Sequence, residues 1–221
     1  MALMPIEGQP GLFKDSDTGQ IVNIRDFREG DKYDSIVFPI QEVIGTGTQC
    51  IFFADLQGKR RTDTNFATQR KLSAGESMVL DRIGLYFRLA VGNSITSGRD
   101  IIKIVENSFY QLTINDILQD EGPAIKFPSG YGLYGNTTEN DMSIMALGVP
   151  ATASAARLIK KQMLNQNHEL NGLLQFDARQ WCAQPNPAGF DATVTVVQPT
   201  LDTAVIVTNY LHGLIRAAVT K

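Results

Sequence analysis

The chain is short of the residues that carry most enzymatic chemistry. It has two histidines, two cysteines and one tryptophan in 221 residues. A metal centre of the usual kind needs three or four converging N, S or O ligands. His168 and His212 share no close spacing with each other or with a cysteine. They read as ordinary surface or half-buried histidines, and the expectation is no metal and no cofactor. Cys50 and Cys182 stand far apart, which fits a reducing compartment better than a disulfide framework, with a single bridge between them left open. An excess of one charge is missing too. A net charge of −3 gives the whole chain no electrostatic footprint for nucleic acid, although a local patch stays open. No apolar run reaches the roughly 20 residues of a bilayer helix. The longest, "TAVIVTNYLHGLIRAAV", is broken by Asn209, His212 and Arg216, so no membrane span is expected. The start, "MALMPIEGQPGLFKDSDTG", lacks the basic-then-apolar pattern of a signal peptide. It is rich in Pro and Gly, and residues 1–20 read as an extended N-terminal arm.

What the chain does have is alternation. In "VLDRIGLYFRLAV", Ile83, Leu85, Phe87, Leu89 and Val91 fall on one side; Arg82, Gly84, Tyr86, Arg88 and Ala90 fall on the other. A period of two marks a strand with one face in a core. "SIVFPIQEVI" puts Ile36, Phe38 and Ile40 together, with Pro39 demoting it to an edge or bulged strand. "QCIFFADL" alternates Cys50, Phe52, Ala54 and Leu56 against Gln49, Ile51, Phe53 and Asp55. "FYQLTI", "LNGLLQF" and "DATVTVV" are further strands. A last long one, 203–220, carries Val205, Val207, Leu211, Ile215 and Val219 inward, with Gly213 at a bend or bulge. Helix is sparse. "SAARLIKKQML" stripes Ala156, Ile159 and Met163 and predicts a helix, while "SGRDIIKIVENS" fits a helix or a strand. Between these lie long polar loops, 56–77 and 128–143, of the kind that form functional surfaces. About eight strands with long excursions predict a mainly β fold, a jelly-roll β-sandwich with one or two short helices. Residues 21–221 are expected to form that single domain.

Motifs for chemistry fail their context. Gly130, Gly132 and Gly135 have the G-x-G-x-x-G spacing, but a phosphate-binding loop needs an apolar strand before it, a helix after it and an acidic residue about 20 positions on. The flanks here are "AIKFPS" and "NTTENDMS", and positions 153–156 hold Ala, Ser, Ala and Ala. The loop therefore reads as a packed turn. No G-x-S-x-G nucleophile elbow occurs. "DSDTGQ" lacks the distal Glu of a calcium loop. No reaction is expected, and no small-molecule substrate. Positive charge concentrates only in "GKRRTD", at Lys59, Arg60 and Arg61, with Arg70 and Lys71. Lys59, Arg60 and Arg61, with Tyr131 and Tyr134 of the glycine loop, are the candidate subunit-contact residues. The bland alternatives are a hydrated hairpin tip and a surface turn.

A resemblance adds to this. The polar "DTNF" at 63–66 is followed by L-x-x-G-E-x-x-x-x-x-x-I from Leu72 to Ile83, and the terminal "VIVTNYLHGLIRAAV" carries "GLIR". Together these resemble viral jelly-roll capsid proteins, those of tailless icosahedral bacteriophages in particular, over 36–91 and 191–219. The chain is shorter than double-jelly-roll capsid proteins, which favours one roll with elaborated loops. The resemblance implies a structural virion protein, assembled in the host cytoplasm, whose partners are copies of itself and other capsid proteins. It would assemble into, or decorate, the shell through its loops and arm. The alternative is a carbohydrate- or receptor-binding β-sandwich adhesion module, with Tyr131 and Tyr134 stacking on a sugar.

Overall fold

The computed structural model describes residues 3–15, 19, 21–23, 26–39, 47–89, 99–130, 155–176, 201 and 204–216. Three short strands come first: β1 (Leu3–Pro5), β2 (Leu12–Asp15) and β3 (Ile21–Asn23). They pair as an antiparallel meander in the order β1-β2-β3. Much of the stretch expected to be an extended arm is therefore a small sheet of its own.

Eight longer strands follow: β4 (Arg28–Phe38), β5 (Gln49–Phe52), β6 (Ser77–Leu89), β7 (Ser108–Ile114), β8 (Ile117–Pro123), β9 (Ala156–Asn165), β10 (Leu170–Phe176) and β11 (Val205–Arg216). They form two four-stranded antiparallel sheets, β4-β11-β6-β9 and β5-β10-β7-β8. The expected mainly β class holds. The pairing is nested: β4 with β11, β5 with β10, β6 with β9, β7 with β8. A long hairpin rolled over on itself has this order, because each strand returns beside the partner that mirrors it in sequence.

One apolar core joins the sheets. Phe38, Ile83, Leu85, Phe87, Val207 and Leu211 from the first sheet meet Phe52, Leu112, Leu174 and Phe176 from the second. Phe38 and Phe176 cross the gap edge to face, with centroids 5.6 Å apart. Each such fully buried ring stabilises the fold by about 1.5–3 kcal/mol relative to exposure. A polar pin crosses the same core, where the Asn209 side-chain amide donates to the Tyr110 hydroxyl. Burial pushes the Tyr110 phenol well above its ordinary range. Gly172 leaves the room for this pin, since a Cβ there would lie 2.7 Å from Asn209 Nδ2.

The helix α1 (Arg99–Asn107) settles the segment that fitted two periods. It buries Ile101, Ile104 and Val105, an i, i+3, i+4 stripe, against the core. The turn between β7 and β8 has Asn115 and Asp116 both left-handed, at φ 49° and 61°. That is the two-residue hairpin geometry that matches strand twist, and Asn and Asp tolerate it best after glycine.

Two sequence expectations are corrected. "SAARLIKKQML" is not a helix; it is β9, paired with β6. The stripe Ala156, Ile159 and Met163 has helical intervals of three and four because β9 bulges. Arg82 faces Arg157 and Leu80 faces Gln162, so the four residues Leu158 to Lys161 stand opposite the single residue Asp81, with Leu158 buried in the core and Ile159 to Lys161 exposed. Asp81 is also the extra residue against β11, where the register shifts between His212 and Gly213. This bulge switches the phase of β6, so that Met78 and Leu80, and then Ile83, Leu85 and Phe87, all face inward. Gly213 stands opposite it, as the sequence led one to expect. A Cβ there would sit 2.0 Å from the Val79 carbonyl oxygen. The second correction is Phe53. It does not alternate away from Phe52: the strand ends at Phe52, Phe53 turns left-handed at φ 66°, and both rings are fully buried. A further strand, β8, comes from "ILQDEGP", where acidic residues break the apolar alternation. Ile40, "DATVTVV", Cys182, Val91 and Val219 lie outside the described residues.

Candidate functional site

The basic loop was the first candidate, and most of it works inside the chain. Lys59 Nζ lies 2.8 Å from both carboxylate oxygens of Asp34, whose side chain is fully buried on β4. Asp34 Oδ2 also accepts the Phe53 N–H at 2.7 Å. A buried carboxylate is tolerated only with such partners, so Lys59 is engaged inside the chain. The Arg60 N–H is bonded to Asp63 Oδ2, and the Arg61 carbonyl accepts the Tyr33 hydroxyl at 2.6 Å. Only the exposed side chains of Arg60 and Arg61 remain as surface charge.

The adjoining "DTNF" has a definite task. β4 is an edge strand, and edge strands leave backbone groups open to mispairing. Asn65 lays its amide along that edge as a strand would. Its Oδ1 accepts the Tyr33 N–H at 2.9 Å, its Nδ2 donates to the Asp31 carbonyl at 2.7 Å, and its N–H donates to the Tyr33 carbonyl at 3.2 Å. Thr64 Oγ1 adds a bond to the same carbonyl. Phe66 anchors the loop in the core against Phe53, centroids 4.8 Å apart, with Lys32 over its outer face. Lys32 in turn pairs with Glu76 at 2.7 Å, and Glu76 belongs to the L-x-x-G-E element. The motif residues thus close one sheet edge.

The outer face of the first sheet holds a cluster that the sequence reading did not single out. Tyr33 and Tyr210 are neighbours in register, with centroids 5.7 Å apart. Tyr86 joins them opposite Thr208, and Ser35 and Thr208 share a buried hydroxyl bond of 2.8 Å. Burial raises the Tyr210 phenol. His212 stacks on Tyr210, lies 2.9 Å from Asp31 Oδ1, and donates Nε2–H to the Ser129 carbonyl at 3.0 Å. The chain at Phe127–Ser129 crosses the sheet here. The Leu85 N–H donates to the Phe127 carbonyl at 2.8 Å, and Ser129 lies so close over Gly84 that a Cβ there would meet Ser129 Cα at 2.5 Å. The entry to the glycine loop is thus a packed crossing, with Gly130 left-handed at φ 72°. Tyr131, Tyr134, Gly132 and Gly135 lie outside the described residues. The alternation that put Gly84 and Tyr86 on the outer side of β6 was the available signal for this cluster.

His168 is a turn residue: its Nδ1 accepts the Asn165 N–H at 3.0 Å. Among the described residues no group of three or more His, Cys, Asp or Glu is placed to hold a metal. No helix of the described residues is long and apolar enough to cross a membrane. A polar cavity of about 350 Å³ opens beside the start of β4, with Arg28, Lys32 and Arg61 facing Glu29, Asp31 and Glu76. Its charges balance, Lys32 and Glu76 already pair, and Asp31 is engaged by His212. That leaves it without the net field that would gather an ionic substrate.

A second concentration of positive charge among the described residues lies on the β9 protrusion. Arg82, Arg157 and Lys161 approach the one carboxylate of Asp81 at 3.3, 3.7 and 3.5 Å, with Lys160 beside them. A helical reading of "ARLIKK" also gathers Arg157, Lys160 and Lys161 on one face; what the sequence could not reveal is that β6 brings Arg82 beside them. Among known proteins, no family model, no curated protein and no solved structure matches the chain.

Proposed function

We propose that this chain is a structural virion protein, a single jelly-roll subunit that assembles into, or decorates, an icosahedral bacteriophage shell. The observation that supports this reading most is the nested order of eight strands in two four-stranded antiparallel sheets, the order of a jelly roll made of two Greek keys. The "DTNF" and L-x-x-G-E residues that resemble such capsid proteins fall on the edge-closing loop of that roll. On this reading the chain performs no reaction, its partners are copies of itself and other shell proteins, and it resides in the virion. Light scattering and electron microscopy of the purified chain test it. Discrete oligomers or particles are expected at micromolar concentration. A strictly monomeric chain that joins no shell overturns it.

One observation favours the runner-up, a carbohydrate- or receptor-binding module. Tyr33, Tyr86 and Tyr210 form an aromatic cluster on a sheet face, and aromatic rings stack on sugar faces. Titration with a saccharide panel decides between the two, because a saccharide that binds wild type and not Tyr86→Ala would support the module.

A further inference from the structure

The β9 protrusion and the β7–β8 hairpin are opposites in charge and alike in exposed apolar surface. On β9 the bulge thrusts out Ile159, which is fully exposed at 102%, flanked by Arg157, Lys160 and Lys161. Arg157 and Lys161 share the single carboxylate of Asp81 with Arg82. At the hairpin, Ile117 and Leu118 are 66% and 47% exposed, and the charges around them are Asp116, Asp120 and Glu121. Lys126 pairs with Asp120 there, which leaves Asp116 and Glu121 as the net acidic groups. Among the described residues no ion pair joins the two sites within one chain.

We infer that the protrusion of one copy docks on the hairpin of the next, Ile159 against Ile117 and Leu118, with Lys160 and Lys161 facing Asp116 and Glu121. The inference rests on the reading that the chain assembles, and it names the contact. Charge complementarity selects a second copy as the occupant. An isoleucine set among cations needs an apolar mate ringed by anions, which the hairpin supplies and a nucleic-acid backbone does not. The two surfaces differ, so the contact is heterologous. Such contacts run head to tail and close into rings or shells when the rotation between copies allows. An isolated bulge with lysines on an edge strand also guards against strand pairing, but that task does not call for a fully exposed isoleucine.

A charge-swap experiment on the full chain tests this. One variant is Lys160→Glu with Lys161→Glu; the other is Asp116→Asn with Glu121→Lys, which keeps a residue suited to the left-handed turn. Each alone places like charges at both sides of the contact, and should raise the concentration needed for assembly at least ~tenfold at physiological salt. Mixed one to one, the variants offer each other opposite charges again, and assembly should return. Ile159→Ser should weaken assembly without altering charge. Assembly of both variants at the wild-type concentration overturns the contact and leaves the virion reading standing. A monomeric wild type overturns both. Loss of assembly in each variant without recovery in the mixture overturns the pairing of these two surfaces. So does a Lys160/Lys161 variant that loses only binding to a labelled oligonucleotide. Thermal unfolding controls for folding. Should Glu121→Lys unfold the hairpin by losing its bond from Gln111, Glu121→Gln keeps the acceptor and is expected to weaken assembly by a smaller factor. No weakening by that variant would count against the contact.

Discussion

β4 and β9 are the two edges of one sheet, and they are finished in opposite ways. The β4 edge is closed by the chain itself. Asn65 and Thr64 bond its backbone, Asp34 and Lys59 rivet the loop, and Phe66 anchors it in the core. The β9 edge is distorted instead, by four residues set against one, and it carries cations and a bare isoleucine. Both devices stop unwanted strand pairing. Only the second leaves a shaped, charged projection for a partner. The lesson is that an edge closed from within contributes to stability, whereas an edge protected by a bulge contributes surface. The two should therefore answer mutation differently.

The largest expected effect is on the closed edge. Asp34→Ala strands Lys59 near the interior and removes the acceptor for the Phe53 N–H, and should cost about 3 kcal/mol. Urea denaturation measures it. A loss below about 1 kcal/mol would mean the rivet is no stronger than a surface pair, and the contrast between the edges would collapse. Next comes Asn65→Ala, which removes two side-chain bonds from the β4 edge and should cost about 2 kcal/mol. Amide exchange at Tyr33 should quicken in the same variant, while exchange along β9 should not change.

Between the edges lies the core pin, which sharpens the comparison because its contribution falls as pH rises into the alkaline range. Burial raises the Tyr110 phenol above its unfolded value, so the folded chain holds that proton longer. The stabilisation is complete below the unfolded value of about 10 and is lost as pH rises above it. The expected slope is about 1.4 kcal/mol per pH unit. Tyr110→Phe should flatten the stability curve in that alkaline range. An unaltered curve in Tyr110→Phe would assign the loss to another group. The smallest effect belongs to the open edge. Lys160→Glu with Lys161→Glu should change stability by no more than about 1 kcal/mol, since both side chains are exposed and Lys161 meets Asp81 only as a surface ion pair. A larger change by thermal unfolding would make the protrusion a structural element after all.

Much of the fold could be read from spacing. Alternation from Ile83 to Phe87 and from Val205 to Leu211 marked inward faces correctly, and Gly213 marked a bulge. The errors arose where tertiary contacts override local period. Ile159 and Met163 suggested a helical stripe because a four-residue protrusion imitates the spacing of helical turns. Phe53 broke alternation because Asp34 holds its N–H and a left-handed turn sends the ring inward. Lys59 looked like free surface charge because its partner lies 25 residues upstream on another element.

The sequence by itself determined the class of this protein. Side chains alternate across extended backbone as a matter of covalent geometry, so a period of two in apolar residues commits those segments to a sheet with a buried side. Tertiary structure alone decided which strands pair, which edge is closed and which projects. Those outcomes depend on Coulombic and hydrogen-bond partners far apart in the chain, such as Lys59 with Asp34 and Asn65 with Tyr33. No local pattern encodes such distances, because the energy of a pair exists only once folding has brought its members together.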